Sequence, residues 1–572
     1  MKMASRNWAA GGSLLAAPVM MFCVVGQVNA FDFNLGNPDM SLRWDNTVRY
    51  NIGFRVQDCD EDICGNNAGA GDVTAYQSDR KFADAGDVVT NRIDVLSEMD
   101  FIYKDRHGAR LSAAGWYDHA YRGDVEGDRV LDASGVGAGA GPDGASYTNY
   151  TDRWNNGPSG EILDAFLFTG FDLGSIPVDM KAGQHNIYWG ESLFSFVNGV
   201  SYQQGPVDIR KAIATPGTEA KELFKPLNQI SVSAQVKPDL TVAAQYYLDW
   251  KPMVIPDGGT YFGAADGVSL GGGGTVFGTP FEITSDEPDK TYGDWGISAR
   301  WSPEWLDGTA GFYYREYTNK FPQLVTTSVA VIPGVGVVPT GTGIDFSSDK
   351  REKLFGLSLS KQVWGIAWGA DLTYRKDATL ATTPFANFVP EGTDPDTWVP
   401  RGNVWSGVFN GIAYFSKSPV YDAATLTAEL NYSYLDKVTD NEQNYNGKGF
   451  NCANDHIATE IACQTRDAVG ASVLFRPTWY QVSPGIDLSM PMFVDMGLHG
   501  NSPVQFGSNE GQGSWSVGLA ADIYAQYNVE LKYNGFISKH SKDELGVGSR
   551  NNAALGKYWD RDWISLTFKT SF

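Results

Sequence analysis

The sequence predicts an all-β protein, a transmembrane antiparallel β-barrel with one loop folded inward as a plug. Three observations support this prediction: the composition, a period-two alternation of apolar and polar residues, and an alternation of short and long connections. Of 572 residues, 19% are charged and 13% are aromatic, and 65 are glycine. Because soluble proteins average about 25% charged residues, this composition is typical of a large β structure.

The charge and hydropathy of the chain exclude two classes of protein. The formal net charge is −23, and a nucleic-acid partner is not expected because neutralising phosphates requires a cationic surface. The mean hydropathy is −0.27, and no run of 18 apolar residues follows residue 30. These values argue against a helical membrane protein.

Residues 1–30 have the organisation of a secretory signal peptide. Lys2 and Arg6 form a positive region, Leu14 to Val25 an apolar one, and Val28-Asn29-Ala30 a small-residue cleavage site. An uncleaved anchor is the alternative. We therefore expect a signal peptide over 1–30 and an outer-membrane barrel over 31–572.

The mature chain has four cysteines in two close pairs, as expected in an oxidising compartment. The pairs predict disulfides Cys59–Cys64 and Cys452–Cys463. Free thiols are the alternative. Zinc is not expected because only His456 lies near either pair. The sequence predicts no metal site and no cofactor.

Period-two alternation is clearest at the two ends of the mature chain. Between Met40 and Val56 the even positions are mostly apolar, and the odd ones are polar and include three arginines. At the C-terminus Ile564, Leu566, Phe568 and Phe572 share one face. This pattern indicates strands with a lipid-facing side and a polar lumen, in the outer membrane of a Gram-negative bacterium.

Connections of two lengths alternate along the chain. Eight short turns, including 104–108, 174–177 and 477–482, alternate with nine long loops, including 191–227. Transmembrane barrels have short periplasmic turns and long external loops. The count predicts about 18 strands with both termini in the periplasm, and sixteen or fourteen strands remain as alternatives.

Four blocks of sequence between residues 183 and 266 resemble a large family of proteobacterial outer-membrane barrels that is known only as a domain of unknown function. The blocks read GQHNIYWGES from 183, GPVD from 205, PGTEAKEL from 216 and, after YYLDW at 246–250, GTYF from 259. The resemblance implies movement of hydrophobic molecules or lipids, with a periplasmic partner like a lipoprotein-sorting carrier and an inner-membrane exporter of the resistance-nodulation-division type. The positions that it marks are Gly183, Gln184, Trp189, Gly190, Asp208, Pro216, Gly217, Glu222, Gly259, Thr260, Tyr261, Phe262 and Asp266.

Residues 191–227 are the candidate plug because this long connection shows no clear alternation. Glycines at 183 and 190 would let a strand bend or let the loop approach the wall. Direct ligand contact by this block is the alternative to plug packing. The strand containing Gly183 is also the candidate for a lateral gap in the wall, which lipid would penalise unless its backbone groups were hidden.

Charged residues on the first strands are predicted to face the lumen and to pair across adjacent strands. An ion-pair network that fills the barrel is one interpretation, and an electrostatic constriction that selects a permeant is the other. The residues are Arg43, Arg49, Arg55, Arg92, Asp94, Glu98, Asp100, Arg110 and Asp118.

The leading hypothesis is an outer-membrane conduit for hydrophobic or lipid-like compounds, the outer component of a trans-envelope exporter. The external loops 268–281 and 324–338 are unusually apolar, as expected for a hydrophobic ligand or a partner. A general porin for small polar solutes is the alternative. A rim protease or lipase is the third hypothesis, although the six histidines form no HExxH motif and no GxSxG element is present.

Overall fold

The computed structural model describes most of the mature chain. The described residues are 31–59, 81–123, 136–137, 147, 149–215, 220–263, 273–276, 279–286, 292–332, 336–346, 350–382, 388–390, 392–450, 452, 463–538 and 558–572. The predicted signal peptide over 1–30 lies outside them.

The chain is dominated by antiparallel strands with a few short helices. In chain order the strands are β1 (Phe31–Phe33), β2 (Met40–Arg55), β3 (Val88–Tyr103), β4 (His107–Asp118), β5 (Val136–Gly137), β6 (Ser159–Leu173), β7 (Ile176–His185), β8 (Leu227–Lys237), β9 (Leu240–Tyr247), β10 (Gly273–Val276), β11 (Thr279–Asp286), β12 (Trp295–Trp301), β13 (Thr309–Tyr317), β14 (Gln323–Ile332), β15 (Gly336–Asp345), β16 (Glu352–Val363), β17 (Ile366–Thr379), β18 (Arg401–Phe415), β19 (Ala423–Asp440), β20 (Asp467–Ser483), β21 (Ile486–Ser489), β22 (Met492–His499), β23 (Gly513–Ile523), β24 (Tyr527–Ile537) and β25 (Trp563–Ser571). The helices are α1 (Asn149–Thr151), α2 (Ile209–Ala214) and α3 (Ala220–Leu223), with single turns at His119–Tyr121, Asp152–Asn156, Pro395–Thr397 and Glu442–Asn444.

Eighteen strand positions close into one barrel. Each wall strand pairs antiparallel with the next, and β25 closes the ring on β2 from Arg55↔Trp563 to Thr47↔Ser571. β21 and β22 occupy one position because both pair with β20 on one side and β23 on the other. The prediction of an antiparallel barrel of 18 strands is confirmed, and the alternatives of sixteen and fourteen are wrong.

The two faces of the wall differ in polarity as the alternation predicts. On β2, Arg49 and Arg55 are buried inside the barrel, whereas Trp44 and Phe54 are exposed on the outside. An apolar exterior around a polar interior is the arrangement that lipid imposes on a closed sheet. The protein is therefore an integral barrel of the Gram-negative outer membrane. None of the helices in the described part of the chain is long and apolar enough to cross a membrane.

One predicted turn is misplaced. The prediction of a turn at 477–482 is wrong, because β20 continues to Ser483 and the chain reverses at Pro484-Gly485. Gly485 has a φ of +75°, which glycine adopts without steric cost. A bulge between Trp479 and Ser483 keeps the strand paired across this stretch.

The apolar long loops contain a second sheet, which the sequence analysis treated as loops. β10 and β11 lie in and beside 268–281, and β14 and β15 in and beside 324–338. They join β5 in a five-stranded sheet in which β11 and β15 pair in parallel. Val-rich alternation is typical of such short strands. The two apolar stretches therefore each form a hairpin, and residues 282–286 and 341–345 join the two hairpins.

The wall strands differ in length around the barrel. β2 and β3 each have 16 residues and β19 has 18, whereas β9 has 8 and β12 has 7. A transmembrane strand needs about 9–11 residues. The wall strands are therefore shortest at β9 and β12, and the long connection after β7 begins two strands away from β9.

Candidate functional site

In the connection between β7 and β8, residues 186–215 and 220–226 fold against the polar inner face of the barrel and are called the inner segment below. Asp371 of β17 holds one part of it. Its two carboxylate oxygens accept hydrogen bonds from the backbone N–H groups of Glu191 and Val200, both at 2.9 Å. A single inward carboxylate thus ties together two backbone positions nine residues apart in the chain.

Glu429 of β19 holds the stretch between these two positions. Its carboxylate accepts the backbone N–H groups of Leu193, Phe194 and Ser195 at 2.7, 3.2 and 2.6 Å. Hydrogen bonds to an ionised acceptor are about twice as strong as neutral ones. Asp371 and Glu429 therefore hold residues 191–200 mainly through backbone N–H groups, and the Ser192 hydroxyl adds a longer contact with Glu429 at 3.5 Å.

The close approach of the backbone at position 190 to Asp371 and Val200 requires a glycine there. Its φ is +91°, and a Cβ at this position would lie 2.4 Å from Asp371 Oδ2 and 2.8 Å from Val200 Cβ. The neighbouring Trp189 donates its backbone N–H to Gln204 Oε1 at 2.7 Å, and its ring centroid lies 5.9 Å from that of Tyr313.

Asp208 organises the second half of the inner segment. It caps α2 by accepting the N–H of Lys211 at 2.9 Å, and its carboxylate pairs with Arg210 at 2.8 Å. Burial opposes its ionisation, but Arg210 and Lys211 outweigh that penalty and lower the pKa of Asp208 below its usual value of 3.8. The ionised carboxylate of Asp208 therefore stabilises the folded state.

Glu222 joins the inner segment to the predicted lumen charges. It pairs with Arg49 at 3.2 Å, Arg49 lies 3.6 Å from Asp94, and Asp94 pairs with Arg92 at 2.9 Å. Arg49 and Asp94 are direct partners across β2 and β3. This arrangement is a continuous ion-pair network between the wall and the inner segment.

The remaining predicted lumen charges form smaller groups. Arg110 contacts Glu98 at 2.5 Å and Asp100 at 3.1 Å, and all three lie on the inner face. Asp118 accepts from Thr90 Oγ1 at 2.9 Å. Two arginines lie apart: Arg55 pairs with Asp560 at 2.9 Å, and Arg43 pairs with Asp45 at an exposed strand end.

The GTYF block lies in an aromatic cluster beside the closing strand. Tyr261 and Phe262 pack with Trp563 and with Phe82, Tyr121 and Tyr147. Gly259 has a φ of +80°, and the Thr260 hydroxyl donates to the carbonyl of Asp257 at 2.6 Å. These contacts make the block a packing element among the external loops.

Several predicted positions lie outside the described residues. These are Pro216, Gly217 and Asp266 of the family blocks. Cys64 also lies outside them, and with it the predicted Cys59–Cys64 disulfide. Cys452 and Cys463 do form a disulfide, with Cα atoms 5.6 Å apart. Within the described ranges no group of three His, Cys, Asp or Glu side chains is arranged to hold a metal ion.

Gly183 and Gln184 lie at the upper end of β7. Gly183 has a φ of +123°, and a Cβ there would lie 2.4 Å from the carbonyl oxygen of Ala165. The sequence predicts the lateral gap in the strand that contains Gly183 and Gly190. β7 pairs with β6 up to Gln184 and with β8 up to His185, and residues 186–190 of that predicted strand lie outside the wall sheet. Gln184 instead donates its side-chain amide to the carbonyls of Ile162 and Leu163, at 2.8 and 2.6 Å.

Asp371 and Glu429, which hold the inner segment, are not among the residues predicted from the sequence. Asp371 lies on a strand with clear alternation, because it shares its inward face with Thr373 and Arg375, whereas Leu372 is exposed on the outside. The polar parity of β17 was therefore the available signal, but their partners lie more than 170 residues away in sequence.

Comparison with known structures finds outer-membrane channels of low sequence identity. The outer membrane channel DcaP of Acinetobacter baumannii is 9% identical, with 95% of this chain and 100% of that chain covered and a TM-score of 0.36. A. baumannii OccAB1 is 8% identical, with 96% of this chain and 99% of that chain covered and a TM-score of 0.41. A BenF-like porin from Pseudomonas fluorescens Pf-5 is 10% identical, with 93% of this chain and 98% of that chain covered and a TM-score of 0.37.

A search of curated proteins gives no match. A family model does match, and it spans residues 11–572, which include both the barrel and the inner segment. The chain belongs to the family described as protein of unknown function (DUF1302).

Proposed function

We propose that this barrel is an outer-membrane conduit for hydrophobic or lipid-like compounds and the outer component of a trans-envelope exporter. The observation that supports it is apolar surface left open inside a polar lumen. On the inner segment Tyr188 is 50% exposed and Leu193 is 44% exposed, and Phe194 lies 5.6 Å from Phe493 of the wall. Exposed apolar groups in a water-filled pore cost free energy unless an apolar ligand covers them.

The inner segment is the plug in this proposal. Its support is an apolar cluster inside the barrel, in which Val197 and Tyr202 pack against Tyr317, Phe321 and Leu354. Such packing excludes water from the upper lumen, and close-packed side chains resist the passage of a hydrated solute. A plug of this kind favours a gated conduit over an open diffusion pore.

The exporter part of the proposal rests on solubility. An apolar compound needs a carrier to cross the aqueous periplasm, so a periplasmic lipid-carrier-like protein and an inner-membrane exporter are the expected partners. We expect the carrier to engage the periplasmic turns, where Arg43 and Arg300 are exposed on the inner face. Site-specific photo-crosslinking from these two positions tests this contact.

A general porin for polar solutes remains the second candidate, because charged groups such as Arg110 and Asp100 line the lower lumen and are partly exposed. Permeability separates the two. Cells expressing the barrel should take up the apolar fluorophore N-phenyl-1-naphthylamine faster than vector controls, with unchanged hydrolysis of the polar β-lactam nitrocefin by a periplasmic β-lactamase. Faster nitrocefin hydrolysis without faster fluorophore uptake would reject the hydrophobic conduit, as would large steady conductance steps in planar bilayers.

A further inference from the structure

The upper part of β6 lacks a paired strand on one side among the described residues. β6 pairs with β4 along this part as far as Ser159↔Trp116. On its other side, pairing with β7 stops at Ala165↔Gln184. Beyond that rung β7 leaves the wall and becomes the inner segment, so residues 159–164 of β6 form an edge on that side.

Side chains donate to three backbone carbonyls of this edge. Gln184 donates to the carbonyls of Ile162 and Leu163, and the Arg153 guanidinium donates to the carbonyl of Gly160 at 2.7 Å. The side chains of Gln184 and Arg153 can move away from this edge without unpairing any strand, whereas backbone hydrogen bonds between strands hold the wall elsewhere.

The inner segment closes the opening from inside. Glu161, on the inner face of the edge, pairs with Lys211 at 2.5 Å and with Lys225 at 3.2 Å. Lys225 also lies 3.9 Å from the ring centroid of Trp154. The contact between edge and inner segment is therefore polar and is concentrated on one carboxylate, unlike the apolar cluster deeper in the lumen.

The opening begins at the level of the outer leaflet. From Leu173 at the periplasmic end to Ala165, β6 rises about 20 Å at about 3.3 Å per residue and a tilt of about 40°. The apolar band of such barrels is about 25 Å tall. Ile162, beside the opening, is 57% exposed on the outer face, so lipid chains reach its lower margin.

We infer that the opening between residues 159–164 of β6 and the inner segment is a lateral exit, through which an apolar molecule passes between the lumen and the outer leaflet. Gln184 and the ion pairs of Glu161 with Lys211 and Lys225 are the latch that closes it. This inference rests on the proposed function. It adds the route and the residues that control it: separation of Glu161 from both lysines frees the inner segment from the edge, and release of Gln184 frees the carbonyls of Ile162 and Leu163.

A crosslink across the latch tests the route. The double variant Glu161→Cys/Lys225→Cys is joined in whole cells with bismaleimidoethane, whose spacer replaces the ion pair. Lys350→Cys/Asp440→Cys is the matched control, because it replaces an ion pair of 2.8 Å between an external loop and a strand end away from β6. N-phenyl-1-naphthylamine uptake is measured before and after crosslinking.

We expect the latch crosslink to reduce uptake to the vector level and the control crosslink to leave it unchanged. Unchanged uptake with the latch closed would overturn the lateral exit while the hydrophobic conduit stands. Equal loss with both crosslinks would also overturn it. No excess uptake by the wild-type barrel would overturn the proposed function and this inference together.

A single substitution tests the same latch in the opposite direction. Gln184→Glu keeps the shape of the side chain but places carboxylate oxygens against two carbonyl oxygens. Loss of two hydrogen bonds at about 1 kcal/mol each corresponds to about 30-fold more open state. Fluorophore uptake should rise severalfold, while the same change at the exposed Gln235 of a periplasmic strand end should have no effect. Equal uptake by Gln184→Glu and wild type would count against the latch.

Discussion

Replacement of Glu429 by glutamine should release the lower part of the inner segment. The carboxylate accepts three successive backbone N–H groups, from Leu193 to Ser195, and also the side-chain amide of Asn410 at 3.3 Å. A glutamine keeps one acceptor oxygen and turns an N–H donor toward these donors. Phe194 and Ser195 share one carboxylate oxygen and Leu193 uses the other, so at least one of the three backbone N–H groups, that of Leu193, then loses its partner.

The size of the effect follows from these hydrogen bonds. Leaving a buried donor unsatisfied costs about 1–3 kcal/mol, and water that enters the lumen recovers part of this cost. We estimate about 1–2 kcal/mol for this one group, which corresponds to an increase of about 5- to 30-fold in the population with this stretch detached.

Hydrogen–deuterium exchange of the purified barrel measures this population directly. Amides of residues 193–200 should exchange faster in Glu429→Gln by that factor, and single-channel recordings should show more frequent openings. Asp495→Asn is the control, because Asp495 also faces the lumen but accepts from Ser472 at 2.6 Å and makes no hydrogen bond to the inner segment among the described residues. Wild-type exchange in Glu429→Gln would refute the assignment of Glu429 as an anchor.

Three further predictions concern other parts of the chain. Gly190→Ala should lower the thermal unfolding temperature and raise exchange in the inner segment, because its Cβ meets the facing carboxylate, whereas Gly205→Ala, with nearest atoms at 3.4 Å, should behave like wild type; equal behaviour of the two variants would contradict the close approach. The pKa of Asp208 is lowered in the fold, so its charge stabilises the barrel above the unfolded value of 3.8 and this contribution disappears as the pH falls through the lower folded value. The gap in unfolding temperature between wild type and Asp208→Asn should thus be constant near neutral pH and close below pH 3.8, and a gap independent of pH would contradict it. A cysteine at Ser328 should react with an impermeant maleimide on intact cells and one at Asp239 should not, and the reverse would invert the topology.

The strand count and the faces of the wall were predictable because they depend on local patterns. Alternation on β2 placed Arg49 and Arg55 inside, and the lengths of the connections gave 18 strands. Pairing of Arg49 with Asp94 followed from the same register, since the two residues lie on adjacent strands. Each of these inferences requires only the period of a strand and the order of its neighbours.

The attachment of the inner segment was not predictable by the same means. Gly190 shows that some backbone approaches closely, but nothing near it in the sequence indicates that Asp371 is what it approaches. Alternation in the sequence identifies which carboxylates face the lumen, but it does not distinguish among them. Which of them accept hydrogen bonds from backbone N–H groups depends on the folded path of the connection. The turn predicted at 477–482 is wrong for a different reason. β20 continues past Pro477 and through a bulge between Trp479 and Ser483.

The inner segment is attached to the wall by two kinds of force, and in the proposed conduit this difference decides which contacts separate first. Val197 and Tyr202 belong to an apolar cluster, and moving them would expose apolar area at about 25 cal/mol per Å². Glu161 and Glu429 hold other parts through hydrogen bonds and ion pairs, whose polar groups water can satisfy when they separate. Motion should therefore begin at the polar attachments and pivot on the apolar cluster. Both the exposed Leu193 and the capped edge of β6 lie next to these polar attachments, so one movement would uncover the apolar lumen surface and the lateral exit together.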